Sequence, residues 1–168
     1  MKRLLIFAAL FAFYFIGCKK KDEKAMLAVA AECIKKQDAA GSIAAYEDFL
    51  KEFPNGENTS IVLYNLGRIY QDKMVLALDM EQSDRKAIEY YQQIVEKFPK
   101  SSQAPAALFN IGFLEANELK NFDEAKKAYE RFIRDYPNDP LVSSAKSEID
   151  NLGVSPEEII RRKTAEAE

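Results

Sequence analysis

The stretches AAYEDFLKEFPNG (44–56), IEYYQQIVEKFPKS (88–101) and KKAYERFIRDYPND (126–139) are one pattern written three times. Aligned on Pro54, Pro99 and Pro137, the preceding residue is Phe53, Phe98 or Tyr136. Four positions before that aromatic stands Phe49, Ile94 or Phe132, and seven before it stands Tyr46, Tyr91 or Tyr129. Eleven before it comes a small residue, Ser42, Ala87 or Ala125. These offsets keep to one face of an α-helix. The proline cannot continue that helix, and it disfavours helical geometry in the aromatic before it. A helix that recurs after 45 and then 38 residues predicts a solenoid, an architecture that usually binds rather than catalyses.

Each closing helix has an opening partner. LYNLGRIY (63–70) carries Leu63, Leu66, Gly67 and Tyr70; LFNIGFLE (108–115) carries Leu108, Ile111, Gly112 and Phe113. Glycine inside a helix costs about 1 kcal/mol relative to alanine, so its use at matched places predicts close approach of the paired helices. A degenerate opening helix from about Glu23 puts Met26, Val29, Ala30 and Cys33 in the equivalent places, with Cys33 in the core. Between Gly67 and Ala87 the chain is eight residues longer than the pattern. That surplus predicts two further helical turns over residues 73–80 and a loop near Gln82. Ser83, Asn121 (with Glu124 three residues on), Asp139 before Pro140 and Ser155 before Pro156 read as helix N-caps.

Taken together, residues 23–152 resemble the tetratricopeptide repeat: an opening helix with an apolar, glycine and aromatic core, a closing helix, and a final proline. The resemblance implies an all-α, right-handed superhelix of about three helix pairs plus a capping helix, with residues 153–168 as a helical tail. Bulky Phe49, Ile94 and Phe132 stand where the family usually has a later alanine. In such arrays the opening helices line the concave face. Carried over residue by residue, that face holds Ile61, Tyr64, Arg68 and Gln71, then Phe109, Phe113 and Asn117. The lysine and asparagine clamp of the chaperone-binding members is absent from these positions. An aromatic groove with one arginine suits an extended or helical apolar segment of another protein. The other reading of Phe109 and Phe113 is packing against neighbouring helices.

The amino-terminal end carries an address. Lys2 and Arg3 precede thirteen apolar residues (4–16), then Gly17 and Cys18. Thirteen residues rise about 20 Å as a helix, against roughly 30 Å of bilayer hydrocarbon, which fits a secretory signal better than a span. FIGC (15–18) resembles the lipobox of bacterial lipoproteins, departing from it at Phe15, where leucine is commonest. That resemblance implies a diacylglycerol on Cys18, loss of residues 1–17, and a tether over 18–22 that includes Lys19, Lys20 and Lys21. Lys19 after the cysteine resembles the outer-membrane sorting signal of enteric lipoproteins. An ordinary cleaved signal and an uncleaved anchor are the other readings of the same residues.

Composition narrows the function. The chain has no histidine, and without Lys2 and Arg3 it has 22 basic against 27 acidic residues. No basic stripe with interleaved aromatics points to nucleic acid. Sequence-adjacent acids such as Asp123/Glu124 and Glu157/Glu158 point about 100° apart on a helix and suit the helix dipole rather than a catalytic dyad. Ser42, Ser143 and Ser144 have no histidine to activate them, and no glycine-rich phosphate loop exists. Neither an enzyme, a metal site, a cofactor nor a small-molecule substrate is expected. The segments EFPNG, KFPKSS and DYPND resemble the repeats of two exported families: the lipoproteins of outer-membrane β-barrel assembly and the Tol–Pal-associated division coordinators. The expectation is a lipid-anchored adaptor or scaffold on the periplasmic face of the outer membrane, working in β-barrel assembly. The alternative is a cell-wall or division coordinator that associates with itself. Expected partners are an envelope protein or peptide segment, the membrane through the lipid, and a second copy of the chain.

Overall fold

A helix that carries an aromatic on each turn of its buried face needs a partner with room to receive it. The computed structural model describes residues 22–165. Among these, α1 (Glu23–Lys35) pairs with α2 (Ala39–Glu52), α3 (Thr59–Gln71) with α4 (Met80–Lys97), and α5 (Ala104–Phe113) with α6 (Phe122–Asp135). Then α7 (Val142–Asp150) packs on α6, and α8 (Pro156–Ala165) follows as the helical tail. Successive pairs meet through α2 and α3, then α4 and α5, which makes the array a solenoid. No described helix is long and apolar enough to cross a membrane.

The room is supplied by glycine. Tyr91 and Tyr129 are fully buried, each under the mid-helix glycine of its own pair. A Cβ built on Gly67 would stand 2.4 Å from Tyr91 Cε1, and one on Gly112 would stand 2.7 Å from Tyr129 Cε1. In the first pair Ala30 takes the equivalent place, fully buried, with Tyr46 buried on the closing helix. Phe49, Ile94 and Phe132 complete the stripe, and the small Ser42, Ala87 and Ala125 are buried with them. Val29 departs from its expected core place and is 57% exposed, whereas the equivalent Leu66 is buried. The reason is position: α2 covers that side of α3, and among the described residues no helix stands before α1. Cys33 is half-buried rather than fully in the core.

Chain reversals inside each pair share one device. Gln37 (φ 57°), Lys73 (φ 55°) and Lys120 (φ 54°) take the left-handed conformation just past the opening helix. At the first, Gln37 N donates to Ile34 O (2.9 Å) and Asp38 N to Cys33 O (2.9 Å). At the second, Lys73 N donates to Tyr70 O (3.0 Å) and Met74 N to Ile69 O (3.1 Å). This double bond pattern closes a helix by satisfying its last carbonyls. It stops α3 at Gln71, so residues 73–79 are a loop and not the expected extra turns. Gln82 accordingly lies in the first turn of α4 instead of a loop.

Asp79 is the cap of α4, because Gln82 completes a capping box with it (Gln82 N to Asp79 Oδ1 2.7 Å, Asp79 N to Gln82 Oε1 3.2 Å). Ser83, the expected cap, sits buried one turn further in. Asn121 precedes α6 as expected but makes no capping bond. Its backbone N–H donates to the carbonyl of the buried Glu115 (2.7 Å), and its side chain favours the ionised Glu115 carboxyl. Asp139 accepts from Leu141 N (2.9 Å), so α7 begins at Val142 and not at Pro140. Ser155 does accept from Glu158 N (3.3 Å) at the start of α8. Phe53, Phe98 and Tyr136, the pre-proline aromatics, leave helical geometry at φ of −129°, −129° and −130°.

This packing has two measurable consequences for stability. Alanine at Gly112 gains about 1 kcal/mol of helix propensity, but overpacking a filled core typically costs about 1–3 kcal/mol. The Tyr129 ring is fully enclosed and has nowhere to go, so Gly112→Ala is expected to lower the urea midpoint, with the m slope unchanged. Gln37→Gly removes the Cβ from a left-handed residue and is expected to raise stability by about 1 kcal/mol, read as a higher midpoint in the same titration.

Candidate protein-binding face

Because α3 turns Leu63, Leu66, Gly67 and Tyr70 inward, its other side carries Ile61, Tyr64, Arg68 and Gln71. Ile61 is 41% exposed. Arg68 is exposed, with Nη2 2.9 Å from Asp72 Oδ2, and that hydrogen bond holds its guanidinium above the ordinary arginine range. An exposed pair of this kind contributes little to stability. Tyr64 and Gln71 are half-buried and fixed by the same buried group. The Tyr64 ring lies 5.5 Å from that of Tyr91, and the Tyr91 hydroxyl donates to Gln71 Oε1 (2.6 Å).

The third repeat presents its residues differently. Phe109, expected on the open face, is half-buried and meets Tyr129 (5.4 Å between ring centres) and Phe132 (5.6 Å) edge-on. Its ring extends the core rather than the surface. Phe113, one turn on, is exposed, at 36%. After it, residues Leu114–Glu118 form a π-helical turn, a widening often found at functional positions. Asn117 lies inside that turn, exposed, with its amide donating to the Phe113 carbonyl (3.2 Å). The expected set therefore divides in two. Ile61, Arg68, Phe113 and Asn117 reach solvent, while Tyr64, Gln71 and Phe109 shape the surface beneath them.

Two asparagines missed by sequence reasoning join the repeats. Asn65 donates to the Tyr46 hydroxyl (3.0 Å), and Asn110 donates to the Tyr64 hydroxyl (3.4 Å). Ser60 adds a bond to Gln103 (2.9 Å), and Asn58 one to Glu23 (2.8 Å). The signal was present in LYNLG and LFNIG, where asparagine stands two residues before the packing glycine in both repeats. These bonds hold the opening helices at fixed offsets, so their exposed residues form one surface.

Glu115 is the unusual group near this surface. It is buried in the π-helical turn, and its Oε2 has no partner. Burial pushes its carboxyl above the ordinary glutamate range; the Asn121 side chain and Arg85 of α4 oppose the shift, and Glu124 of α6 adds to it.

Comparison with known families gives two matches. The family YfiO, described as an outer membrane lipoprotein, matches residues 6–119. A tetratricopeptide repeat matches residues 106–139. No curated protein matches the chain.

The Glu115 environment sets a pH dependence. A carboxyl whose folded pKa is raised contributes stability that is present at acid pH and lost as pH rises through the folded value. Glu115→Gln is therefore expected to be more stable than wild type at neutral pH. The difference should close as pH falls through the raised pKa toward the ordinary glutamate range. Parallel thermal melts of the two proteins across that range check it.

Proposed function

The chain belongs to the YfiO outer membrane lipoprotein family, and from that premise we propose that it is a non-enzymatic adaptor presenting α3 and α5 to a segment of another envelope protein. In this reading residues 1–17 are a signal, Cys18 carries the lipid, and residues 18–22 tether the repeat domain (23–152) to the periplasmic face of the outer membrane. Residues 153–168 are the tail. The working context is outer-membrane β-barrel assembly. Two acyl chains on one cysteine are enough for stable anchoring, so the domain needs no other hold on the membrane.

The observation that carries the reading is the exposure of Ile61 and Phe113 on neighbouring opening helices, with Arg68 on the same side of α3. Aromatics and arginine are frequent hot spots, and an amphipathic or extended segment engages such a surface through a few anchors. Covering Ile61 and Phe113 removes apolar area from water, and Arg68 supplies directional contact to the segment's backbone or a carboxylate. The rigid offset between α3 and α5 means that little order has to be gained on binding.

A photo-crosslinking residue at position 113, in intact cells, tests this. One envelope protein is expected in the adduct. Ile61→Glu and Arg68→Glu should each cut its yield by about tenfold, a difference of ~1.4 kcal/mol, without moving the melting temperature. A folded, lipidated protein that gives no specific adduct overturns the reading. An adduct indifferent to both substitutions moves the binding surface elsewhere.

A further inference from the structure

The closing tyrosines of the second and third repeats match as far as the hydroxyl and then differ. Tyr91 lies under Gly67, and its hydroxyl donates to Gln71 (2.6 Å), four residues on along the same face of α3. Tyr129 lies under Gly112 in the same way, but the residue four on is Ala116, whose methyl group offers no acceptor. The Tyr129 hydroxyl is buried and has no partner. A buried donor left unpaired is costly, so a group that brings it an acceptor is favoured. Near the place that Gln71 fills in the second repeat, the third has a hollow of about 360 Å³. The π-helical turn gives one wall, with Ala116 and Asn117, and α7 gives another, with Glu148. The connection 151–155 and Ile159 of the tail close the remaining side.

Two observations put the Tyr129 hydroxyl beneath this wall. The register with Tyr91 sets it beside Ala116, and Glu148 acts on it electrostatically. Burial first and Glu148 second push its pKa up, so the hydroxyl stays a donor. The acceptor that fits is uncharged. A carboxylate set beside Glu148 is repelled, whereas a primary carboxamide accepts from Tyr129 through its oxygen and donates to Glu148 through its NH2 group. Phe122, Leu152 and Ile159 in the walls suit the methylenes that carry such a group. Asn117 belongs both to the hollow and to the face that carries Phe113, so a segment lying on that face passes beside the hollow. We propose that the hollow takes a glutamine side chain of the partner segment, completing in the third repeat the pair that Tyr91 and Gln71 make within the second. The source of that side chain rests on the adaptor reading; the hollow itself does not. To admit it the connection 151–155 gives way, since α8 beyond it makes no extensive contact with another described helix.

The test uses the full chain in detergent, with carbon-13 in its alanine methyl groups and tyrosine rings, and N-acetyl-glutamine methylamide as the probe. The probe is expected to shift the Ala116 methyl and Tyr129 ring signals saturably, whereas its norleucine and glutamate counterparts should not. Tyr129→Phe removes only the unpaired hydroxyl. It should keep the melting temperature, weaken the probe by about fivefold, and lower the yield of the position-113 adduct in cells. Ala116→Gln brings its own carboxamide and should block the probe. The absence of a saturable shift overturns the inference. So does equal binding of the norleucine probe, an adventitious apolar fit only. Equal binding of the glutamate probe moves the contact to Lys120, the cation of the wall, and overturns it as well. Probe affinity or adduct yield indifferent to Tyr129→Phe has the same consequence. An adduct at position 113 without probe binding sinks this inference alone. Probe binding without any adduct overturns the adaptor reading and, with it, the partner as source of the glutamine.

Discussion

Tyr91 and Tyr129 each lay a phenol ring against the backbone of a glycine on the partner helix, at a distance no side chain could share. That contact sets how near the two helices of a pair can come, and the rest of the array takes its spacing from it. Around Tyr91 it also sets the surface. The ring supports Tyr64, its hydroxyl binds Gln71, and Asn110 of the next repeat reaches the Tyr64 hydroxyl. A large buried aromatic thus carries packing information outward to the face where a partner would sit. In the third pair the same tyrosine lacks that polar link. Ala116 stands 45 residues after Gln71, and the Tyr129 hydroxyl is buried without a partner. Packing alone, with Phe109 and Phe132, fixes the ring there.

The repeats diverge where the pattern leaves freedom. All three reversals use a left-handed non-glycine residue, yet each leads into a different segment. After Gln37 the chain enters α2 almost at once, whereas after Lys73 it builds the Leu76 ridge before Asp79 restarts a helix. The third reversal is preceded by the π-helical turn. There Glu115 stands 45 residues after Tyr70, which stacks on Tyr90 (5.7 Å) in the second pair. Replacing a stacked ring by a carboxyl removes apolar contact and brings a polar group inside. Asn121 there makes no capping bond, and its side chain favours the ionised form of that carboxyl.

These differences explain which features could be read from the chain. The closing helices were legible because large residues recur at helical offsets, and their size leaves one face for the core. The glycines were legible because an unfavourable residue recurs at matched places. Residues 73–80 were not. Lys73, Met74, Leu76 and Met80 are all fair helix formers, and nothing in their identity announces a left-handed turn at Lys73. Phe109 had two readings because period alone puts it beside Tyr64, while the length of its ring lets it lean into Tyr129. Asn121 has the identity of a cap, and only the fold shows that a buried acid competes for it. Ile61, Arg68 and Phe113 were named from a family pattern, and the structure leaves all three exposed.

The unequal burial of the helices has a mechanical side. In α1 only Ala30 is fully buried, while α3 and α4 each bury the greater part of one face. A pull applied through the amino terminus reaches α1 first and loads its contacts with α2 one after another. Local opening follows the least buried elements, so α1 peels away while the tyrosine layers behind it remain unstrained. A repeat protein held at that end thus carries a slack length of about 20 Å, the extent of a thirteen-residue helix swung out intact, that folds back when the load is gone.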